Sequence, residues 1–439
     1  MSTGRYDLHV EPGGRLRGRA RVPGDKSISH RAVLLGGIAE GETRIEGFLE
    51  GGDTLATLAA FEGMGIEAER DGTLVCLGGR GRDGVSSPKG ALDLGNSGTA
   101  MRLLAGLLAG LRIDAVLTGD ASLRARPMRR IIEPLQAMGA RIEAASGGRA
   151  PLRVRASGVL RGIRYRLPMA SAQVKSCILL AALGANGTTE VTEPAITRDH
   201  TERMLRAFGC AVETNGLAIA LEGGTALSGC RIEVPGDLSS AAFFLVGASI
   251  AEGSALTLED VGVNPTRNGL LKVLEAMGAK VELQHPRLAG GEPIADLVVH
   301  AAPLSGIEIP PEWVSLAIDE FPALMVAAAA AEGVTTVRGA EELRVKESDR
   351  IDAMADGLRR LGIRCQTYPD GIRVVGGEIA GGRVRSFGDH RVAMALAMAG
   401  LRAREPVIVD DCRNVATSFP GFAGLARRLG LGISPGEGR

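Results

Sequence analysis

Aromatic side chains are scarce: three tyrosines, one tryptophan and nine phenylalanines make up 3% of the 439 residues. Basic excess is missing too, since 51 Lys and Arg are balanced by 51 Asp and Glu. A chain with neither ring platforms nor surplus positive charge is poorly equipped to hold nucleic acid, and no such partner is predicted. No apolar run reaches the ~18 residues of a membrane span, so no membrane partner is predicted either. The opening residues, MSTGRYDLHVEPGG, lack the apolar stretch of a secretion signal. The six cysteines (76, 177, 210, 230, 365 and 412) form no CxxC and no Cys/His pairing, which predicts reduced thiols in a cytoplasmic protein and no metal site. A GxxxxGK[ST] loop is absent and no GxGxxG follows a clear strand, so neither ATP nor NAD is predicted.

What the chain has in abundance is glycine, 62 residues of it, in a sequence that is 45% hydrophobic. Six segments share one design, in which a polar or glycine-containing entry leads into an Ala/Leu-rich run. They are GDKSISHRAVLLGGIAEG, GNSGTAMRLLAGLLAG, ASAQVKSCILLAALGANG, GDLSSAAFFLVGASIAEG, DEFPALMVAAAAAEG and GDHRVAMALAMAGL. A second series also recurs six times: a helix-like end, a glycine, then a strand-like stretch, with the glycines at Gly65, Gly139, Gly209, Gly278, Gly362 and Gly430. Both series step by roughly 65 to 85 residues, too long for the common solenoids and suited to a small αβ unit. Each unit reads as a buried helix, apolar nearly all round, followed by a strand, an amphipathic helix and further strands.

Polar residues gather where the apolar helices start. Helix N-termini carry unpaired N–H groups and the positive end of the dipole, so they bind phosphate and carboxylate readily. Lys26, Ser27 and Arg31 follow Gly24-Asp25, and Asn96, Ser97, Thr99 and Arg102 follow Gly95. Ser171, Gln173 and Lys175 lie in the third start, Asp319 and Glu320 in the fifth, and Asp389, His390 and Arg391 in the sixth. Ser, Asn and Asp are also ordinary helix caps. A cation near an N-terminus is less ordinary, because the dipole opposes it, so Lys26 and Arg391 point to an anion held between side chain and helix end. In RVKESDR, Lys346, Glu347 and Arg350 are spaced to share one helix face, which also fits a solvated salt-bridge ladder. Arg126 precedes Pro127 and is therefore held in extended geometry. The alternating arginines of RLRGRARV read as one solvent-facing side of a strand. Several cations, several helix starts and a few carboxylates suit small, multiply charged substrates, with the carboxylates moving protons.

The motifs GDKSISHR, LGNSGTAMR, RPM, MASAQVKS, ITRDHTERML, IDEFP, RVKESDR and GDHRVAMA, from about residue 10 onward, resemble the 3-phosphoshikimate 1-carboxyvinyltransferase family. The resemblance implies an α/β protein of two domains, each built of three βαβαββ repeats as an inside-out barrel, with buried helices pointing their N-termini at the interdomain cleft. Residues 1–21 and 238–439 would form one domain and residues 22–237 the inserted one, with PGDLSS as the second crossing. The implied reaction moves the enolpyruvyl group of phosphoenolpyruvate onto the 5-hydroxyl of shikimate 3-phosphate, through a tetrahedral intermediate and without a cofactor. By motif match, Lys26, Ser27, Arg31, Ser171, Ala172, Gln173, Arg198, Asp319 and Lys346 hold shikimate 3-phosphate. Lys26, Asn96, Gly98, Arg126, Gln173, Arg350 and Arg391 surround phosphoenolpyruvate. Asp319 is the implied base, Glu347 the acid at the methylene carbon, Lys26 a catalytic cation, and His390 a support for Glu347. Because these groups come from both halves, the resemblance also implies domain closure on substrate, and a monomer.

Three departures accompany the resemblance. Thr417, in ATSFP, stands where many members have a lysine; Glu342-Leu343 replaces an Asn-Trp pair of one branch; and NSGTAMR keeps Gly98 of one branch while ITRDHTERML follows the other. Gly98 leaves room beside phosphoenolpyruvate, which makes glyphosate inhibition an expectation. The sister UDP-N-acetylglucosamine enolpyruvyl transferases carry a cysteine on the loop before Ala-Arg-Pro, where this chain has Ala121. An RNA 3′-terminal phosphate cyclase lacks support for want of charge and rings. A non-catalytic phosphometabolite sensor would have no need of Asp319, Glu347 and Lys26.

Overall fold

The computed structural model describes residues 6–437. Among them are twelve α-helices of eight or more residues, named here in chain order. They are α1 (Lys26–Gly36), α2 (Gly52–Gly63), α3 (Gly98–Leu111), α4 (Arg129–Ala137), α5 (Ala172–Ala182), α6 (His200–Ala207), α7 (Leu238–Ile250), α8 (Gly269–Ala276), α9 (Phe321–Ala330), α10 (Arg350–Arg360), α11 (His390–Ala399) and α12 (Phe422–Leu429). The odd-numbered helices are the Ala/Leu-rich runs, and their burial follows from composition. Every residue of α7 is buried, as are all of α11. The even-numbered helices are one-sided. In α10, Ile351, Met354 and Leu358 face inward while Asp352, Arg359 and Arg360 face water. The glycines after them all have positive φ, from 86° at Gly209 and Gly362 to 113° at Gly430, the left-handed conformation that ends a helix without steric cost to glycine.

The chain divides into two compact units. One holds residues 24–234 and 288–292; the other holds 6–23, 235–287 and 293–437. Each has its own hydrophobic core. In the first, a four-stranded sheet runs Leu92–Asp93, Ala115–Thr118, Arg149–Arg155, Arg141–Ala145, and another runs Arg164–Arg166, Thr188–Thr192, Ala218–Glu222, Val212–Asn215. The first pair in each is parallel and brackets a buried helix (α3 or α5) in sequence; the other pairs are antiparallel. In a third sheet the unit's last strand, Arg231–Glu233, pairs in parallel with its first, Glu40–Glu46, tying its ends together. The helices pack closely within this frame. A Cβ on Gly106 of α3 would stand 2.1 Å from the Cys177 carbonyl oxygen of α5, so only glycine allows the contact.

The second unit repeats the plan with help from the start of the chain. Arg17–Ala20 pairs in parallel with Ala255–Gly262, and Tyr6–Val10 lies antiparallel between Val407–Asp410 and Ile433–Glu437. Phe244, Phe419 and Phe422 cluster in its core with ring centroids 5.4 to 5.9 Å apart. Arg19 and Arg21 do face solvent, each paired with a carboxylate, Glu259 and Asp260 respectively. All six cysteines are free thiols. Among the described residues no helix is long and apolar enough to cross a membrane.

Candidate active site

In the unit built on residues 24–234, the starts of α1, α3 and α5 are capped by Asp25, Ser97 and Ser171, whose side chains accept from Ile28, Ala100 and Val174 N–H. Capping leaves further N–H groups and the next side chains available to a ligand. Lys26, the first residue of α1, lies 3.1 Å from Asp53 of α2 and is largely buried. Ser27 uses its carbonyl to accept from Arg31 Nη1 at 2.9 Å. Arg31 also donates to Thr201 Oγ1 and Ser176 Oγ, both at 2.7 Å, so one guanidinium ties α1 to α5 and α6. Burial pushes its pKa down to about 10, against the pull of Glu202 and Asp25, which leaves it charged at neutral pH. Arg198 lies near enough to lower it further.

At the start of α3, Arg126 donates to Asn96 Oδ1, and Asn96 Nδ2 donates to Asp120 at 2.7 Å. Arg126 has φ −75° and ψ 141°, the extended geometry that Pro127 dictates. Gly98 lies under two guanidinium groups: a Cβ there would stand 2.9 Å from Arg102 Nη1 and 3.0 Å from Arg126 Nη1. Arg102 Nη1 donates to Gln173 Oε1 at 2.6 Å, and Gln173 Nε2 donates to Thr99 Oγ1 at 2.9 Å, which fixes the amide of Gln173. Ala172 is the first residue of α5. The neighbouring cation Lys175 is spoken for. It is fully buried between Glu193 (2.9 Å) and Glu202 (2.7 Å), a structural ion triad.

In the second unit the pattern inverts. Arg350, the first residue of α10, is 1% exposed and gathers three carboxylates. Its Nε donates to Asp389 at 2.9 Å, Nη1 to Asp319 at 3.1 Å and Nη2 to Glu347 at 2.5 Å. Burial alone would lower its pKa, but Asp389, Glu347 and Asp319 outweigh it and raise the value above the ordinary one. Lys346 lies 3.5 Å from Asp319 and 2.9 Å from Glu342. Asp389 is fully buried and caps α11, accepting from Arg391 N–H at 2.9 Å and from Ser348 Oγ at 3.1 Å. Arg391 Nη1 donates to the Asp319 carbonyl at 3.1 Å, and His390 begins α11, buried. RVKESDR is therefore no solvated ladder: its arginine is at the centre of a buried cluster.

Arg102, Asp53 and Asp389 belong to these constellations beyond the residues marked as ligands by motif. Arg102 had a visible signal, a lone cation four residues into an otherwise apolar helix. Asp53 had none, because it comes from an outer helix. Thr417 Oγ1 donates to the Asn414 carbonyl at 2.7 Å, and Arg413 pairs with Asp411 at 2.8 Å while remaining 54% exposed.

One α/β unit gathers cations at buried helix starts and the other gathers carboxylates on a guanidinium, an arrangement suited to small anionic substrates. Residues 10–425 match the family EPSP synthase (3-phosphoshikimate 1-carboxyvinyltransferase). The 3-phosphoshikimate 1-carboxyvinyltransferase of Alkalilimnicola ehrlichii is 61% identical over 434 residues, 98% of this chain and 97% of that protein. The one from Methylococcus capsulatus is 58% identical over 424 residues, 96% and 97% of the two chains. A solved EPSP synthase from Acinetobacter baumannii matches with a TM-score of 0.88 at 52% identity, covering 98% of this chain and 100% of that one. The chain belongs to the EPSP synthase family and is an enolpyruvyl transferase.

Proposed function

We propose a division of labour between the two units for the reaction this chain performs, the transfer of the enolpyruvyl group of phosphoenolpyruvate to the 5-hydroxyl of shikimate 3-phosphate with release of phosphate. Asp319 takes the proton of the 5-hydroxyl as its oxygen bonds to C2 of phosphoenolpyruvate. Glu347 delivers a proton to C3, which gives a tetrahedral intermediate. Loss of a C3 proton and cleavage of the C2–O bond to phosphate then restore the double bond. Lys26, Ser27, Arg31, Ser171, Ala172, Gln173 and Arg198 hold shikimate 3-phosphate, with Asp319 and Lys346 at its hydroxyls. Lys26, Asn96, Gly98, Gln173 and Arg126 take the phosphate side of phosphoenolpyruvate, while Arg350 and Arg391 take its carboxylate side. His390 supports Glu347.

The observation that carries this reading is the shared guanidinium of Arg350, which holds Asp319 at 3.1 Å and Glu347 at 2.5 Å. An acid and a base on one fixed cation are what a proton-coupled addition needs. The recurring parallel strand pairs and the six positive-φ glycines support reading each unit as three βαβαββ repeats of an inside-out barrel. Separate cores support one discontinuous domain built from both ends of the chain and one inserted domain, with divisions at 23/24 and 234/235 in place of the expected 21/22 and 237/238, and with residues 288–292 in the inserted unit. The chain acts as a cytoplasmic monomer in this reading. Phosphate release by purified protein, with each substrate omitted in turn, tests the reading. Release that requires both phosphoenolpyruvate and shikimate 3-phosphate supports it, and release with UDP-N-acetylglucosamine in place of the latter contradicts it.

A further inference from the structure

His30 lies in α1, is fully buried, and is used by no step above. Its Nδ1 is 2.8 Å from Thr57 Oγ1 of α2, and its Nε2 is 3.3 Å from Ser97 Oγ, the cap of α3. The hydrogens in this chain can be placed by exclusion. Ser97 Oγ accepts from Ala100 N–H at 3.1 Å through one lone pair, and its own hydrogen meets His30 Nε2 when the ring carries its proton on Nδ1. Thr57 Oγ1 donates to the Asp53 carbonyl at 3.4 Å and so accepts from Nδ1–H. Each hydroxyl thereby gives one hydrogen and receives one. The relay runs in one direction: Ser97 to His30, His30 to Thr57, Thr57 to the main chain of Asp53. At its far end Asp53 pairs with Lys26 at 3.1 Å. Burial, with Lys26 and Arg31 nearby, drives the imidazole pKa well below its ordinary value, so the ring stays neutral.

We propose that His30 is a positioning residue, held neutral with its proton on Nδ1, that locks the start of α3 to the Lys26–Asp53 pair. It thereby sets the spacing of the groups that receive the phosphate of phosphoenolpyruvate. The relay works through Ser97. With the hydroxyl hydrogen drawn to His30, the Ser97 lone pair caps α3, and Asn96 and Gly98 on either side keep their places beside Arg126. This inference rests on the assignment of that region to phosphoenolpyruvate, so its test has one arm that needs no turnover.

The first arm is NMR of the wild-type protein labelled with ¹⁵N in histidine, with the His30 signals identified by their loss in His30→Gln. The expected spectrum is the Nδ1–H tautomer, unchanged between about pH 5 and 8. An Nε2–H tautomer, or titration near the ordinary histidine value, overturns the relay. The second arm is kinetics. His30→Leu removes one partner from each hydroxyl and is expected to raise KM for phosphoenolpyruvate roughly tenfold, the scale of one buried hydrogen bond lost. The turnover number and KM for shikimate 3-phosphate should stay within about threefold. His30→Gln, whose amide reaches Ser97 with a hydrogen-bonding atom where Nε2 stood, should recover most of the loss. A fall in turnover with KM unchanged, or a Gln variant no better than Leu, overturns the positioning role. Absence of turnover in the wild type would instead contradict the reaction assignment, leaving the tautomer result to stand alone.

Discussion

The two units place different charges at the same kind of structural feature. Both present buried helices whose starts carry positive dipole ends. In the unit of residues 24–234, those starts hold cations: Lys26 and Lys175 pair with carboxylates, while Arg31 donates to two hydroxyls and a carbonyl, Arg126 to Asn96 and Arg102 to Gln173. In the other unit, three carboxylates converge on Arg350. In the proposed reading the first arrangement receives the anionic groups of the substrates. The second gathers more carboxylates than cations around Arg350, and in the proposed reading Asp319 and Glu347 exchange protons with a substrate. On the proposed reading, the helix starts of one unit serve binding, while those of the other add proton transfer to binding.

That contrast can be broken most severely at Arg350. Arg350→Met would leave three carboxylates facing one another in a buried site, and about 3–5 kcal/mol of unfolding free energy should be lost, read by denaturant titration. Lys175→Met should cost a similar amount in the other unit, by stranding Glu193 and Glu202. The two losses share a cause and should be alike in size. A negligible loss at either site would show that its carboxylates take up protons without penalty.

The next effect is on chemistry. Glu347→Gln should retain both substrates, measured by equilibrium binding, and lose at least ~100-fold in turnover, the scale of a general acid. Near-normal turnover would remove Glu347 from the mechanism. Arg126→Lys should act differently. A point charge replaces a fork that meets Asn96, so KM for phosphoenolpyruvate should rise roughly tenfold with little change at saturation. The smallest effect belongs to Arg413→Ala. Its exposed pair with Asp411 is screened by water, and steady-state constants should move less than about twofold. A large rise in KM there would mean that Arg413 replaces the lysine whose position Thr417 occupies.

Much of this organisation was legible in the residues themselves. The six apolar runs became α1, α3, α5, α7, α9 and α11, and the six turn glycines all took positive φ, because both signals are local and repeated. Arg126 before Pro127 was readable for the same reason. What could not be read is which side chains meet. RVKESDR alone gives an i,i+3 pair of Glu347 and Arg350; that Asp319 and Asp389 join them depends on three helix starts converging. Asp53 likewise reaches Lys26 from another helix, and Glu193 and Glu202 meet Lys175 from outside its own helix. The capping role of Asp389 explains why it lies where Arg350 needs it, though spacing in the chain does not announce the contact.

The contrast between a binding unit and a proton-transfer unit is tested most directly by turnover at saturating phosphoenolpyruvate and shikimate 3-phosphate, with Glu347→Gln and Arg126→Lys measured side by side. The account predicts that Arg126→Lys approaches wild-type turnover as phosphoenolpyruvate rises, while Glu347→Gln stays at least ~100-fold down at every concentration. The reverse pattern, with Glu347→Gln rescued by substrate and Arg126→Lys not, would contradict it.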